Sequence, residues 1–308
     1  MQQQYEKFKE WLTIKKYSPA TIDTTIRATE YFRSWSEKEG ITELEEISYP
    51  DAMAFMKWSS KHGASQKTIA NYLNHVRKFY TFLISEGAIK ENPVAHIKVQ
   101  GIKRRVYYDV LSDEELQTIY QNYPTTIEHE PGKIIPPQEK NILSRKRNKV
   151  ILNLLVHQGL RVEEVAALRL QDLQLREGKI TIHRQRRTAA RTMNLAPHQV
   201  YELIDYVHET RKQFLEVHGV TDKLFLQWGK GERFYGITQM MLQHLRKINT
   251  RIKNFEQIRA SVITNWLRIF DIRKVQYLSG HKFVSSTEGY KANVIDGLQE
   301  DVIKYHPF

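Results

Sequence analysis

The 308-residue sequence contains no cysteine and no long uncharged hydrophobic stretch. The absence of cysteine excludes disulfides, thiolate metal sites and cysteine nucleophiles together. No apolar run reaches the ~18 residues that a membrane helix requires, so we predict neither a signal peptide nor a membrane span. These absences are typical of a globular protein of the cytoplasm.

The usual signatures of two kinds of phosphate chemistry are also missing. The sequence has no glycine-rich phosphate-binding loop. It also has no cluster of carboxylates that would predict a two-metal site. We therefore expect the protein to work without a cofactor and without a metal ion.

Positive charge is present in excess, with 47 Lys and Arg against 35 Asp and Glu and a formal net charge of +12. An excess of this size on a folded protein favours a polyanionic partner over an otherwise ordinary basic enzyme. Residues 1–104 carry a net charge of +4, and residues 105–308 carry +8. We therefore expect both parts of the chain to contact double-stranded DNA.

Two helices with clear boundaries are predicted in the first hundred residues. Ser18 before Pro19 is an N-cap pattern, and the helix that it opens should end at Gly40. Ser65 opens the second helix, which should end at Gly87. The apolar residues of this second helix recur at helical spacing and predict its buried face. They are Ile69, Leu73, Val76, Phe79, Tyr80 and Leu83.

The opposite face of the second helix is polar and basic. It carries Lys67, Asn71, Asn74, Arg77 and Lys78. A solvated surface and a DNA-facing surface explain this face equally well. These residues are accordingly candidate DNA contacts.

An aperiodic segment after Asn92-Pro93 indicates a domain boundary. Three adjacent basic residues in this segment are candidate contacts to DNA phosphates. They are Lys103, Arg104 and Arg105. We predict an N-terminal helical domain over residues 1–104 and a second domain over residues 105–308.

The second domain is predicted to be helical with a small sheet. Ser112 and Glu115 have the spacing of a capping box at its start, and a proline-rich surface loop is expected over residues 123–142. After two helical patterns, the alternation in GKITIHRQ and RTMNL predicts a hairpin or a three-stranded sheet. The fold class is therefore mainly α, with a small antiparallel sheet in a mixed α/β second domain. The basic residues between these strands are Arg184, Arg186 and Arg187.

Two arginines occupy unusual positions in helical patterns. In FEQIRASVITNWLRIF, Arg259 falls in the apolar arc, where burying a charge without a partner is costly. Arg161 follows Gly159-Leu160 at a predicted helix N-terminus, where backbone N–H groups already favour an anion. Taken alone, a structural ion pair explains the first and an exposed first-turn position the second.

A third pattern, LSGHKFVSSTEGY, places His281 nine residues before Tyr290. The histidine and the tyrosine form a set with the two arginines and the basic hairpin. A scissile phosphodiester is a substrate that all of these groups could serve.

This ordered set resembles the tyrosine recombinases of the phage-integrase and Xer family. GLRVEEVAALRLQDL resembles the first arginine box of that family, IRASVITNWL the second, and LSGHKFVSSTEGY the histidine and tyrosine box. The resemblance spans residues 145–295, and residues 1–104 resemble the helical, SAM-like core-binding domain of the family.

The resemblance implies a site-specific DNA recombinase, acting in integration, excision or resolution. It would cleave and rejoin strands through a 3′-phosphotyrosyl intermediate. Tyr290 would be the nucleophile, while Arg161, Arg259 and His281 would bind the nonbridging oxygens. A noncatalytic DNA-binding relative and a type IB topoisomerase-like strand transferase remain as alternative interpretations.

Two positions depart from the family pattern. Glu256 stands where the family often has histidine, and a carboxylate there would repel a phosphate. Either Glu256 turns away and Gln257 donates a hydrogen bond, or the position is only structural. Arg186 stands where the family has a hairpin lysine that acts as general acid. Arginine stabilises an anion but donates a proton poorly, so Lys179 or a water molecule is expected to supply the proton.

Beyond the tyrosine, the chain has apolar residues at near-helical spacing. They are Val294, Ile295, Leu298, Val302 and Ile303. This segment could fold back onto its own domain, whereas the resemblance implies that it is exchanged between neighbouring protomers. On DNA we expect a dimer per site and a tetramer in synapsis, associated with the nucleoid.

Overall fold

The structure, a computed structural model, describes residues 2–102, 108–126, 138–186, 188–228 and 234–293. The chain divides into two compact units, Met1–Val106 and Tyr107–Phe308. Helices predominate, and the described residues contain one small sheet. Among these same residues, no helix combines the length and the apolar character needed to cross a membrane.

Four helices build the N-terminal unit. They are α1 (Gln2–Ile14), α2 (Pro19–Lys38), α3 (Tyr49–Lys61) and α4 (Gln66–Ser85), with a 3-10 turn at Leu44–Glu46. Ser18 and Ser65 cap α2 and α4, since each hydroxyl accepts a hydrogen bond from the backbone N–H group three residues further on. The predicted N-termini of both helices are confirmed, and both helices end two residues before the predicted glycine.

Aromatic side chains fill the core of this unit. The buried rings are Phe8, Phe32, Trp35, Phe55, Phe79, Tyr80 and Phe82. The six residues predicted to form the inner face of α4 are all buried in this core, which confirms the predicted stripe. Burial of that face leaves the polar face of α4 at the surface of the unit, with Lys67, Asn71 and Asn74 exposed.

The second unit is built around a longer series of helices. They are α5 (Asp113–Gln121), α6 (Gln138–His157), α7 (Val162–Ala167), α8 (Pro197–Asp205), α9 (Arg211–His218), α10 (Phe234–Ile248), α11 (Phe255–Ile269), α12 (Ile272–Ser279) and α13 (Val284–Glu288). A π-helical turn, Tyr206–Thr210, joins α8 to α9. The capping box of Ser112 and Glu115 opens α5 as predicted. Helices α6 and α11 pack against each other in the core of this unit.

Helix α6 corrects part of the predicted surface loop. Residues 138–142 belong to the helix, because Leu143 packs against Phe214 and Leu226 and so anchors the first turns of α6. The proline pair before these residues suits a helix start as well as a loop. Residues 127–137 of the predicted loop lie outside the described residues.

The sheet has three short antiparallel strands, which confirms the three-stranded alternative. They are β1 (Leu173–Gln174), β2 (Lys179–Ile182) and β3 (Arg191–Asn194), in the order β1-β2-β3 and with 3-10 turns at Leu170–Asp172 and Leu175–Glu177. Ile180 pairs with Met193, and Ile182 pairs with Arg191. All four of these side chains are buried, so Arg191 lies on the inner face of the sheet.

Helix α12 docks against the outer edge of β3 through one phenol. The hydroxyl of Tyr277 accepts a hydrogen bond from the backbone N–H of Thr192 at 3.1 Å and donates one to its carbonyl at 3.1 Å. Both backbone groups of Thr192 that face away from β2 are thereby satisfied. This contact fixes the end of α12 beside the sheet.

Candidate active site

Arg259 lies on α11 with its side chain only 1% exposed, as the helical pattern predicts. Its guanidinium donates hydrogen bonds to the carbonyl of Gly159 and, at 2.7 Å, to the carbonyl of Ser279. The nearest carboxylate is Glu164, whose Oε2 lies 3.9 Å from Arg259 Nη1. Burial lowers the pKa of Arg259 to about 10, with Arg161 acting in the same direction and Glu164 opposing it. The site therefore holds a buried cation that its neighbours compensate only partly.

A fully buried ion pair lies next to this cation. Arg191 donates hydrogen bonds to the two carboxylate oxygens of Glu164 at 2.8 and 3.0 Å, and neither side chain is exposed. Burial raises the pKa of Glu164, but the hydrogen bonds and charge of Arg191, the N–H of Arg161 and the charge of Arg259 together outweigh it and leave the pKa below its usual value. The backbone N–H of Arg161 also donates to Glu164, at 2.9 Å. One carboxylate thus connects the start of α7, strand β3 and α11.

A glycine brings the histidine to this cluster. Gly280 ends α12 with φ +66°, and a Cβ added there would lie 2.9 Å from Cζ of Arg191. Because Arg191 is held by two hydrogen bonds, it cannot easily give way to a larger residue. The segment of Gly280 and His281 is bound to the β2–β3 loop. The N–H of Ala189 donates to the Gly280 carbonyl at 2.9 Å, and Thr188 pairs with His281 in an isolated antiparallel β-bridge.

The imidazole of His281 is buried and neutral. Its Nδ1 lies 3.0 Å from the Ser279 hydroxyl and 2.9 Å from the Thr287 hydroxyl, and its Nε2 lies 3.4 Å from Nη2 of Arg259. Since a guanidinium can only donate, Nε2 must accept, and the ring proton is assigned to Nδ1. Burial lowers the pKa of His281 to about 3, and the positive charges of Arg259 and Arg161 add to this effect.

Tyr290 stacks on this histidine. The two ring centroids are 5.7 Å apart with an angle of 11° between the planes. Burial raises the pKa of the Tyr290 phenol, Arg259 and Arg161 lower it, and Glu256 raises it further. Because these groups all act on the phenol, its hydroxyl belongs to the same pocket as the two arginines.

Glu256 faces the pocket and does not turn away. Its Oε1 lies 3.2 Å from Nη1 of Arg161, the residue that precedes α7. Gln257 is buried, and its amide donates to the carbonyls of Asp109 at 2.8 Å and Arg251 at 3.0 Å. The alternative in which Glu256 turns away and Gln257 replaces it is therefore wrong, because Arg161 attracts the carboxylate and backbone carbonyls occupy the amide.

Three arginine donors of this cluster have no partner. In the described part of the chain, the buried Nε–H groups of Arg161, Arg191 and Arg259 make no hydrogen bond. A buried donor left unpaired costs about 1–3 kcal/mol. Hydrogen-bond donors, positive charge and a phenol thus meet in a pocket that an oxyanion could complete.

The β2–β3 loop contributes basic groups at its surface. Arg184 and Arg186 are exposed, and Arg187 lies outside the described residues. Lys282, which the sequence analysis did not single out, donates from Nζ to the Arg186 carbonyl at 2.6 Å. Lys179 starts β2 at the end away from this loop and lies 3.7 Å from Glu177. Of these two lysines, Lys282 is the one at the loop.

The predicted DNA contacts of the N-terminal unit divide into two groups. Lys67, Asn71 and Asn74 are exposed. Arg77 is half-buried and donates to the carbonyls of Val94 and Ile97, at 3.1 Å each from Nη2, and Lys78 lies 4.5 Å above the ring of Tyr17. Arg77 therefore has a structural role in its own unit. Lys103, Arg104 and Arg105 lie outside the described residues.

Metal ligation is not suggested by the geometry. Within the described ranges, no group of three or more His, Asp or Glu side chains is arranged to hold a metal ion.

A helical N-terminal unit followed by a unit with two arginines, a histidine and a tyrosine in one pocket defines the class of tyrosine recombinases. The sequence profile of the phage integrase family matches residues 111–294, and that of the phage integrase N-terminal SAM-like domain matches residues 5–87. The chain belongs to the phage integrase family and is a site-specific tyrosine recombinase. The predicted family and fold class are confirmed.

Similar proteins with known names support this assignment. The chain is 27% identical over 307 residues to tyrosine recombinase XerC of Bacillus pumilus, covering 97% of this chain and 95% of that protein. It is also 27% identical over 308 residues to XerC of Bacillus subtilis, with the same coverage of 97% and 95%.

Two solved structures share the fold. One is XerH bound to a palindromic difH substrate in a post-cleavage complex, with a TM-score of 0.68 and 17% identity over 93% of this chain and 80% of that chain. The other is a lambda integrase dimer bound to a COC′ core site, with a TM-score of 0.65 and 14% identity over 95% and 77%.

Proposed function

We propose that this recombinase cleaves and rejoins DNA strands through a 3′-phosphotyrosyl intermediate formed by Tyr290. The observation that carries the proposal is the stack of Tyr290 on His281 beside Arg259, in a pocket with unpaired buried donors. A noncatalytic relative would have no need to keep this set of groups together. The reaction class follows from what the pocket can bind and from which group can attack it.

The scissile phosphate would bind between the two arginines. Arg161 and Arg259 would donate to the nonbridging oxygens, and their unpaired Nε–H groups supply donors for this contact. Binding requires that the phosphate displace Glu256 from Arg161, which now holds the carboxylate at 3.2 Å. The phosphate replaces the carboxylate as the anion beside Arg161, so the two arginines keep a negative counter-charge during the exchange.

His281 would change its role when the phosphate binds. In the structure its Nε2 accepts from Arg259, and nearby positive charge helps to lower its pKa to about 3. A phosphate neutralises much of that charge, so the pKa of His281 rises in the complex. The imidazole can then gain a proton at Nε2 and donate it in a hydrogen bond to a phosphate oxygen.

The strand transfer itself needs a nucleophile and a proton donor. The Tyr290 phenol releases its proton to solvent as its oxygen attacks phosphorus, the bond from phosphorus to the 5′-oxygen breaks, and that oxygen takes up a proton from a donor; religation runs the same steps in reverse. Lys282 would supply the proton, because its ammonium lies at the β2–β3 loop next to Arg186. Arg186 would stabilise negative charge there, while Lys179 lies at the other end of β2 and is not assigned this role.

Both units would bind double-stranded DNA. The excess positive charge favours this partner, and the exposed polar face of α4 supplies Lys67 and Asn71 in the first unit. The related lambda integrase forms a dimer on its core site, and we propose that this chain likewise forms dimers on one site and tetramers in synapsis. The C-terminal segment proposed to mediate assembly lies outside the described residues. Because its substrate would be chromosomal or mobile DNA, we propose that the protein is associated with the nucleoid.

Covalent trapping tests the nucleophile. On a nicked substrate that prevents religation, the wild type should accumulate a protein–DNA adduct, and Tyr290→Phe should form none while binding DNA with unchanged affinity. Tyr235→Phe is the matched control, because Tyr235 is an exposed tyrosine on α10. An adduct that persists in Tyr290→Phe would overturn the assignment. Recombination of paired sites, as opposed to relaxation of a supercoil alone, separates a recombinase from a topoisomerase-like activity.

A further inference from the structure

A second aromatic ring, that of Tyr108, stacks with the ring of Tyr290. The ring of Tyr108 lies 6.2 Å from that of Tyr290 between centroids, with an angle of 13° between the planes. The ring of His281 lies at 11° to Tyr290, so both Tyr108 and His281 are nearly parallel to the Tyr290 ring. Offset stacking of this kind is a favourable arrangement for aromatic rings.

The backbone on both sides of the stack is fixed. The N–H of Tyr108 donates to Oδ1 of Asn293 at 3.3 Å, and the N–H of Asn293 donates to the carbonyl of Tyr290 at 3.1 Å. Asn293 is itself only 5% exposed. The main chain of Tyr108 is therefore connected to the main chain of Tyr290 through one buried side chain.

Helix α11 holds the segment that begins with Tyr108. Three polar residues spaced four apart on one face of the helix bind the main chain of residues 109–111. Gln257 donates to the Asp109 carbonyl at 2.8 Å, Ser261 accepts from the Leu111 N–H at 2.9 Å, and Asn265 donates to the Leu111 carbonyl at 3.1 Å. The same helix carries Arg259. Tyr108 is thereby fixed to the element that holds the central cation of the pocket.

We propose that Tyr108 is a positioning residue for the nucleophile. Because both His281 and Tyr108 stack with it, the Tyr290 ring has little freedom to rotate, so its hydroxyl stays beside Arg161 and Arg259. A helix of only five residues, α13, precedes Tyr290, and it offers little restraint of its own. The proposal rests on the assignment of Tyr290 as nucleophile and gives Tyr108 no contact with the reacting atoms.

The planar ring of Tyr108 carries this role, and its hydroxyl does not. Burial raises the pKa of the Tyr108 phenol, and Tyr290 and Glu256 raise it further, so the group is neutral at ordinary pH. A phenylalanine keeps the stack, whereas a leucine keeps an apolar side chain but loses the flat ring. The two substitutions separate stacking from simple burial.

Single-turnover cleavage on the nicked substrate, at saturating protein, tests the proposal. We expect Tyr108→Leu to lower the rate of adduct formation about 2- to 10-fold, the range that one aromatic pair is worth. Tyr108→Phe should stay within about twofold of the wild type, and DNA affinity should change in neither variant. Tyr235→Leu on the exposed face of α10 is the matched control.

Two results would overturn the role of Tyr108 without touching that of Tyr290. One is a wild-type rate in Tyr108→Leu, and the other is an equal loss in Tyr108→Phe and Tyr108→Leu, which would assign the effect to the hydroxyl. If Tyr108→Leu does not fold, as judged by circular dichroism, Tyr108→Met supplies a flexible side chain for the same comparison. Absence of any adduct in the wild type would instead refute the proposed function itself.

Discussion

In the proposed reaction Glu256 and the scissile phosphate compete for Arg161, and removing the carboxylate should therefore help the reaction. The Glu256 side chain is 51% exposed, and it lies 3.2 Å from Arg161, which is 23% exposed. Replacing Glu256 by glutamine removes the negative charge but keeps the size and a hydrogen-bonding group. We expect Glu256→Gln to bind and cleave DNA better than the wild type near neutral pH.

The size of the gain follows from the exposure of the pair. Two unit charges at this separation interact by about 1 kcal/mol in water and by about four times more near a protein surface. Because Glu256 is half exposed, solvent screening places the value near the lower figure, as measured exposed pairs indicate. About 1 kcal/mol corresponds to an increase of about fivefold in the rate constant for adduct formation at subsaturating protein.

Salt provides a second test of the same prediction. The gain should shrink as salt rises from about 0.05 to 0.3 M, because the competing pair is screened. Glu216→Gln is the control, since it makes the same change in net charge on the exposed side of α9. A rate in Glu256→Gln below that of the wild type would refute this reasoning and would show that the carboxylate takes part in the reaction.

Three further predictions follow from the buried groups and from the loop. Glu164→Gln should lower the free energy of unfolding by about 3–5 kcal/mol, measured by chemical denaturation, because it leaves Arg191 buried without its counter-charge; a loss below 1 kcal/mol would contradict this. The depressed pKa of His281, about 3, means that folding disfavours its protonated form. The contribution of this residue to the free energy of unfolding is complete above pH ~6.5 and is lost as pH falls towards 3, by about 2 kcal/mol at pH 5. In His281→Gln the free energy of unfolding should lack this part of the decline. An identical pH dependence of the free energy of unfolding in the two proteins would contradict the prediction. Lys282→Ala should cleave DNA slowly, and a 5′-bridging phosphorothiolate substrate, whose leaving group needs no proton, should restore its rate. Lys179→Ala should cleave at the wild-type rate. Lack of rescue in Lys282→Ala would exclude Lys282 as the proton donor.

Local patterns made part of the site predictable. The burial of Arg259 follows from one helical repeat, because its apolar neighbours lie on the same helix. The serine caps of α2 and α4 are equally local. By contrast, residues 138–142 were predicted as loop, since two prolines just before a charged helical turn resemble a loop in sequence.

Contacts between distant segments explain what the sequence could not predict. Glu164 and Arg191 are 27 residues apart in the sequence. Only the alternation in RTMNL, which puts Arg191 on the same face of the strand as Met193, indicates that the arginine is buried. The pairing of Arg161 with Glu256 depends on how α7 and α11 pack, which no single helical pattern contains. Tyr108 is 182 residues from Tyr290 and has no sequence signature, because only the fold brings the rings together.

The phenol of Tyr277 has a consequence for solubility. Strand β3 is an edge strand in the order β1-β2-β3, and an edge with free N–H and C=O groups can recruit a strand from another molecule. Tyr277 occupies both of the outward backbone groups of Thr192, in the middle of a strand only four residues long. A second copy of the chain therefore finds no continuous row of backbone partners there. The chain thereby avoids one route to aggregation by strand addition, and Tyr277→Phe would reopen it.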